Sequence, residues 1–180
     1  MDAGDFDDGT LLEWWVSLGA SCKWHSCSPT WPWEWKIVAP QGFGRYLALS
    51  YQIPVNSGTH FVNIEIHIVF HPVYQVPTLY FNIYRPNGTR VTPNEGKEFL
   101  SFFPEKDFGS FVTQAEHVCA QKPFLFIHPC RTHEFMQQFK ASGATSGAHQ
   151  YLLTWFNVYG AFLKLGVPPA FFQSALQGLQ

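Results

Sequence analysis

Charge is scarce in this chain: Asp, Glu, Lys and Arg together make up 13% of 180 residues, and the formal net charge is −2. No polybasic block is present, so a phosphate-tracking groove has little to build on and no nucleic-acid partner is expected. Long apolar runs are missing too. No stretch of 18 or more apolar residues occurs, so no stable membrane insertion is expected. The start, Met1 to Asp8, is acidic where a secretory leader would be basic, and a cytoplasmic location is expected. Cysteine is sparse: Cys22, Cys27, Cys119 and Cys130 are too few for a disulfide scaffold. Cys22, His25 and Cys27 cluster, but the other half of a zinc site is absent at any familiar spacing. They read as part of a loop before the first strand, and no metal is expected. Gly42-Phe43-Gly44 is too sparse to cradle a phosphate, and no cofactor is expected.

Aromatic residues are abundant. They make up 18% of the chain, with 18 Phe, 7 Trp and 7 Tyr, so residues 1–180 should fold as one domain around a large aromatic core. The patterning is α+β. Thr10 to Glu13 is a capping-box pattern for a short helix carrying Trp14, Trp15 and Leu18. Strands are expected over Trp33–Val38 and Tyr46–Val55. A third follows from Val62, Ile64, Ile66, Ile68 and Phe70 alternating with Asn63, Glu65 and His67, which buries one face. Leu79, Phe81 and Ile83 mark the fourth, closed by Pro86-Asn87-Gly88. Four strands with no helix between them predict an antiparallel four-strand meander.

The second half turns helical. Asn94–Leu100 is a short helix, Phe124–His128 a short strand, and Thr132 a cap for a helix with Phe135, Met136 and Phe139 inward. Residues 141–148 are small and glycine-rich, hence a mobile loop. Tyr151–Phe162 forms an apolar helix, and a last helix runs from Pro169 to Leu179.

Phe124-Leu125-Phe126-Ile127-His128-Pro129-Cys130 is the segment that carries chemistry. An apolar strand stops at a proline, which cannot donate to the ladder and fixes φ. Cys130 therefore stands where the chain leaves the core, the placement a nucleophilic thiol needs. Buried packing is the competing role for any cysteine, and Cys119 is read that way.

The succession of helix, meander, cysteine-bearing segment and C-terminal helices is the order of E2-like (ubiquitin-conjugating) folds. Phe126-Ile127-His128-Pro129-Cys130 resembles the active-site signature of autophagy-type E2 enzymes, in which the nucleophile directly follows His-Pro. Three more segments are similar to the autophagy-related protein 10 family: Phe70-His71-Pro72-Val73-Tyr74-Gln75-Val76-Pro77-Thr78-Leu79-Tyr80-Phe81, Thr113-Gln114-Ala115-Glu116-His117, and Tyr151-Leu152-Leu153-Thr154-Trp155-Phe156. The matches span about residues 45 to 165.

The resemblance implies an acyl carrier. Cys130 would take the C-terminal glycine of a ubiquitin-like modifier (autophagy protein 12 type) from an E1-like activating enzyme (autophagy protein 7 type). It would pass it to a lysine of an acceptor of autophagy protein 5 type. Ordinary E2 enzymes have His-Pro-Asn, and here the asparagine's place is held by the nucleophile, so another oxyanion donor is needed. Tyr74 and His117 are the candidates for that oxyanion or positioning role, with Asn82 a weaker third. His128 is expected to shape the turn rather than act as a base. The strand Tyr46–Val55, if at the sheet edge, could recruit the acceptor by strand addition. Two alternatives stand beside this reading: a cysteine hydrolase with a histidine base, and a non-catalytic E2-like scaffold with Cys130 buried.

Overall fold

The computed structural model describes residues 35–55, 59–99, 112–141, 148–163 and 165; the side chains of 97, 98, 130, 131, 133, 134, 140, 141, 148 and 149 fall outside that description. The expected helix at residues 10–18, the Cys22, His25, Cys27 cluster and the last helix at 169–179 lie outside the described residues, as do residues 142–147 of the expected loop 141–148, whose end residues belong to helices.

Six strands form one antiparallel sheet: β1 (Lys36–Val38), β2 (Tyr46–Val55), β3 (His60–His71), β4 (Val76–Tyr84), β5 (Val112–Glu116) and β6 (Pro123–Ile127). The order across the sheet is β1-β2-β3-β4-β6-β5. Neighbours β1 to β4 pair antiparallel in sequence order, with Leu49 opposite Ile66 and Ile66 opposite Phe81. The helices are α1 (Pro93–Phe99), α2 (Cys130–Ala141) and α3 (Ala148–Ala161). Strand β2 is not outermost, since β1 covers Tyr46–Ala48; no described strand pairs with the rest of that edge.

Period-two alternation sets one face. Leu47, Leu49, Tyr51 and Ile53 join Val62, Ile64, Ile66 and Ile68, then Leu79, Phe81 and Ile83, and finally Leu125 and Ile127. Against them pack Leu152, Leu153, Trp155, Phe156 and Tyr159 of α3, with Met136 of α2. Burying each such side chain contributes roughly 1.5–3 kcal/mol. Around His67 and Val69 in the second half of β3 the sheet is buried on its other face as well. Tyr46, Val69, Tyr80, Cys119, Phe124 and Phe126 form a second cluster there, so His67, expected to face outward, is buried. Cys119 is a packing residue, as its surroundings require.

Element boundaries follow from prolines and caps. Strand β4 begins at Val76 rather than Leu79, because Pro77 lies where the strand has only β3 as a ladder partner. Helix α1 starts with Pro93 at its first position, capped by Thr92. Glu95 Oε2 accepts from the Thr92 backbone N–H at 2.9 Å and its hydroxyl at 2.8 Å. Arg85 adds an ion pair to Glu95 at 2.7 Å.

The end of α3 is pinned to the sheet. The Tyr51 hydroxyl donates to the Leu163 carbonyl at 2.5 Å, and the Leu165 N–H returns to the Gly160 carbonyl at 2.9 Å. A Cβ at Gly160 would stand 2.9 Å from the Leu165 carbonyl oxygen, backbone that cannot swing aside. Gly160→Ala should therefore lower stability by about 1–3 kcal/mol. An unchanged urea midpoint for that variant would show the close approach to be unimportant.

Candidate functional site

Strand β6 delivers the His-Pro-Cys segment. Phe124 and Phe126 point into the second cluster, Leu125 and Ile127 into the main core, so the strand is buried on both faces. Its ladder to β4 is short, with Tyr80 opposite Phe126 and Phe81 opposite Leu125. Side chains reinforce it: the Asn82 amide donates to the Pro123 carbonyl at 3.3 Å, and Arg90 Nη1 donates to the same oxygen at 2.9 Å. Asn82 thus fastens the start of β6, at the opposite end from Cys130.

After Ile127 the half-buried His128 and the buried Pro129 turn the chain, and α2 begins at Cys130 itself. The Thr132 N–H bonds the Pro129 carbonyl at 3.0 Å, so Thr132 lies inside the first turn, buried, rather than capping from outside. Pro129, with φ already fixed, precedes a helix that starts three residues earlier than a Thr132 cap would set it. The backbone of Cys130 holds the first helical position; its side chain is outside the description. A helix start carries a partial positive charge from its aligned backbone dipoles.

The turn between β3 and β4 reaches this corner. Gln75, with φ +54°, donates its N–H to the His71 carbonyl at 2.8 Å and closes residues 72–75. Val73, 78% exposed, and Tyr74, 41% exposed, stand on it. The Tyr74 hydroxyl lies 3.5 Å from His128 Nε2, and the two rings meet edge to face at 5.5 Å. Tyr74 and His128 are brought together.

His117 is elsewhere. It belongs to the turn leading into β6, where its N–H bonds the Lys122 carbonyl at 2.9 Å. That is roughly a strand length from the corner, at ~3.3 Å per residue. Its ring is wholly buried, and Nδ1 accepts the Cys119 and Ala120 N–H groups at 3.1 and 2.9 Å. Nδ1 is therefore bare and Nε2 carries the proton, which faces His67 Nδ1 at 3.2 Å. His67 Nε2 in turn meets Glu65 Oε1 at 3.3 Å, and the Tyr84 hydroxyl donates to Glu65 Oε2 at 2.9 Å. Sequence patterning missed this relay because it counted His67 and Glu65 as solvent-facing. Burial, then the neighbouring His67, pushes His117 down to about 4. The hydrogen bond from His67 leads the causes holding Glu65 below its usual range.

Among the described residues no group of His, Cys, Asp and Glu is arranged to hold a metal ion. No described helix is long and apolar enough to cross a membrane.

Residues 23–170 match the family described as autophagocytosis associated protein, active-site domain. The chain is 31% identical over 113 residues to the ubiquitin-like-conjugating enzyme ATG10 of Arabidopsis thaliana, a match covering 58% of this chain and half of that relative. It is 27% identical over 165 residues to the ubiquitin-like-conjugating enzyme ATG10 of Homo sapiens, covering 89% of this chain and 71% of that relative.

The His117 geometry fixes the sign of a pH response. An unfolded chain binds a proton at this ring near the ordinary 6.5, whereas the folded chain resists until about 4. Stability is then complete above pH 6.5 and is lost as pH falls toward 4, by up to about 3 kcal/mol. Urea midpoints measured across that window should fall with acidification, and His117→Gln, though less stable, should flatten the slope. A wild-type midpoint that stays level over the window would disprove the assignment.

Proposed function

The chain belongs to the autophagocytosis associated protein, active-site domain family, among its autophagy-related protein 10 members, and from that premise we propose that it is an E2-like conjugating enzyme acting through Cys130. The observation that supports this most directly is local. Cys130 opens α2 immediately after a buried proline, at the end of a strand fixed on both faces, with Tyr74 and His128 in contact beside it.

In the first step the Cys130 thiolate attacks the thioester carbonyl that joins the modifier to its E1-like activating enzyme (autophagy protein 7 type). A new S–C bond forms, the old one breaks, and the activating enzyme's cysteine leaves as thiolate. The modifier is of autophagy protein 12 type. In the second step a lysine amine of an acceptor (autophagy protein 5 type) attacks the same carbonyl, loses a proton, and expels the Cys130 thiolate as the isopeptide bond forms. The tetrahedral intermediate of discharge carries an oxyanion, and with no asparagine after His-Pro the Tyr74 hydroxyl, in contact with His128, serves as its donor. His128 shapes the turn and orients that hydroxyl. His117 serves as a positioning residue that fixes the start of β6. The reaction belongs in the cytoplasm.

Incubation with activating enzyme, ATP and modifier should give an adduct on this chain that reductant removes. Cys130→Ala should abolish it, and Cys130→Ser should trap a reductant-resistant oxyester visible by mass spectrometry. An adduct that persists unchanged in Cys130→Ala would refute the carrier role.

A further inference from the structure

His71 is the residue that neither the motif nor the proposed chemistry uses. It ends β3, half-buried, with its Nδ1 facing the N–H groups of Val73 at 3.3 Å and Tyr74 at 3.4 Å. Its ring lies tilted against that of Tyr74, centroids 4.6 Å apart. Burial, and then the nearby His128, hold His71 below the ordinary imidazole range, which keeps Nδ1 available as an acceptor at neutral pH. His71 thus touches Tyr74 twice, through its backbone and through its ring, and Tyr74 in turn touches His128.

We propose that His71 is a positioning residue that holds the Tyr74 hydroxyl at His128 beside Cys130. The inference rests on the acyl-carrier reading for its chemical consequence, though not for its geometry. The acceptor atom at Nδ1 is the essential feature. It receives the amides two and three residues on, as an asparagine side chain does in an Asx turn, and so sets the direction in which Tyr74 leaves the turn. The tilted ring, in contact with that of Tyr74, then limits the rotation of the phenol. A hydroxyl displaced from the corner would leave charging by the activating enzyme able to proceed, since that enzyme brings its own surroundings to the thioester. Discharge to a lysine amine depends on donors within this chain and would suffer more.

Three substitutions separate the parts. His71→Phe keeps a ring against Tyr74 and removes the acceptor. His71→Asn removes the ring and retains an acceptor at the same reach. Tyr74→Phe removes only the hydroxyl. Single-turnover discharge of the charged enzyme to free lysine should slow on the order of a hundredfold in Tyr74→Phe and by a comparable or smaller factor in His71→Phe, with charging much less affected. His71→Asn should recover most of the rate, and His71→Phe should add little further loss in the Tyr74→Phe background.

The ring resonances of His128, followed by NMR in histidine-labelled protein, give a readout independent of turnover. His71→Phe and Tyr74→Phe should move them in the same sense, and His71→Asn should leave them near wild type. The proposal is overturned if His71→Phe leaves the His128 ring unmoved, or if its discharge defect adds fully to that of Tyr74→Phe. Tyr74→Phe discharging like wild type would overturn it equally. If the wild-type chain accepts no acyl group at all, the carrier reading fails by itself, and the His128 resonances still decide whether His71 places Tyr74.

Discussion

The burial of β6 on both faces is the constraint from which the rest of the site follows. Strand β6 is paired along its five residues to the edge strand β5, but its pairing into the rest of the sheet through β4 runs only from Tyr80 to Phe81. Leu125 and Ile127 are held in the helix-covered core, while Phe126 stacks on Tyr80 with centroids 5.4 Å apart. A slip by one residue would exchange those two sets of side chains between faces. Because that exchange is prohibitive, the direction in which Ile127 hands the chain to His128 is determined. Pro129 then converts a fixed strand end into a fixed helix start.

Both turns that serve this strand use the same device. At one end the His117 Nδ1 accepts the amides two and three residues on, and near the other end the His71 Nδ1 does likewise. They differ in tightness. His117 is sealed in an aromatic cluster and bonded at 2.9 and 3.1 Å, with a second imidazole and a carboxylate behind it. A buried polar chain of this kind tolerates little movement, since each unmade bond leaves a desolvated group. His71 is only half-buried and its bonds are longer, so the turn carrying Tyr74 retains some freedom. The start of β6 is thus rigidly anchored, and the end that hands the chain to Cys130 is the more adjustable one.

Much of this was legible in the sequence, and what was not has specific causes. Alternation at Val62, Ile64, Ile66 and Ile68 gave β3 directly because the main core lies on one face along its whole length. Strand β5 escaped because Val112 is the one fully buried residue among its five, and an exposed edge strand of Thr, Gln and Glu carries no periodic apolar signal. The capping role assigned to Thr132 failed because Pro129 can begin a helix by itself. Tyr74 and His128 lie in matched segments with separate expected roles, but their contact is seen only in the structure, and His71 lay unremarked beside Tyr74. Its use is backbone capping, which leaves no trace in residue spacing. The interior position of His67 was hidden for another reason: the second cluster covers the other face only at one end of the sheet, so a pattern uniform along β3 cannot report it.

The shape of the β3–β4 turn shows how much the corner demands of its surroundings. Gln75 adopts a left-handed φ of +54°, a conformation that costs a residue with a Cβ roughly 1–2 kcal/mol and that glycine would adopt freely. The strained residue is compensated locally: its amide bonds the His71 carbonyl at 2.8 Å, and its side-chain amide donates to the Pro72 carbonyl. Pro72 restricts the chain further by fixing φ at the first turn position. A glycine in place of Gln75 would relieve the backbone but lose the side-chain bond and widen the range of turn shapes. The closure made by Gln75 acts together with the His71 Nδ1 contacts to keep the turn folded toward β6. The strain is therefore coupled to the placement of Tyr74: the same closed turn that forces φ positive at Gln75 brings the preceding hydroxyl within reach of His128.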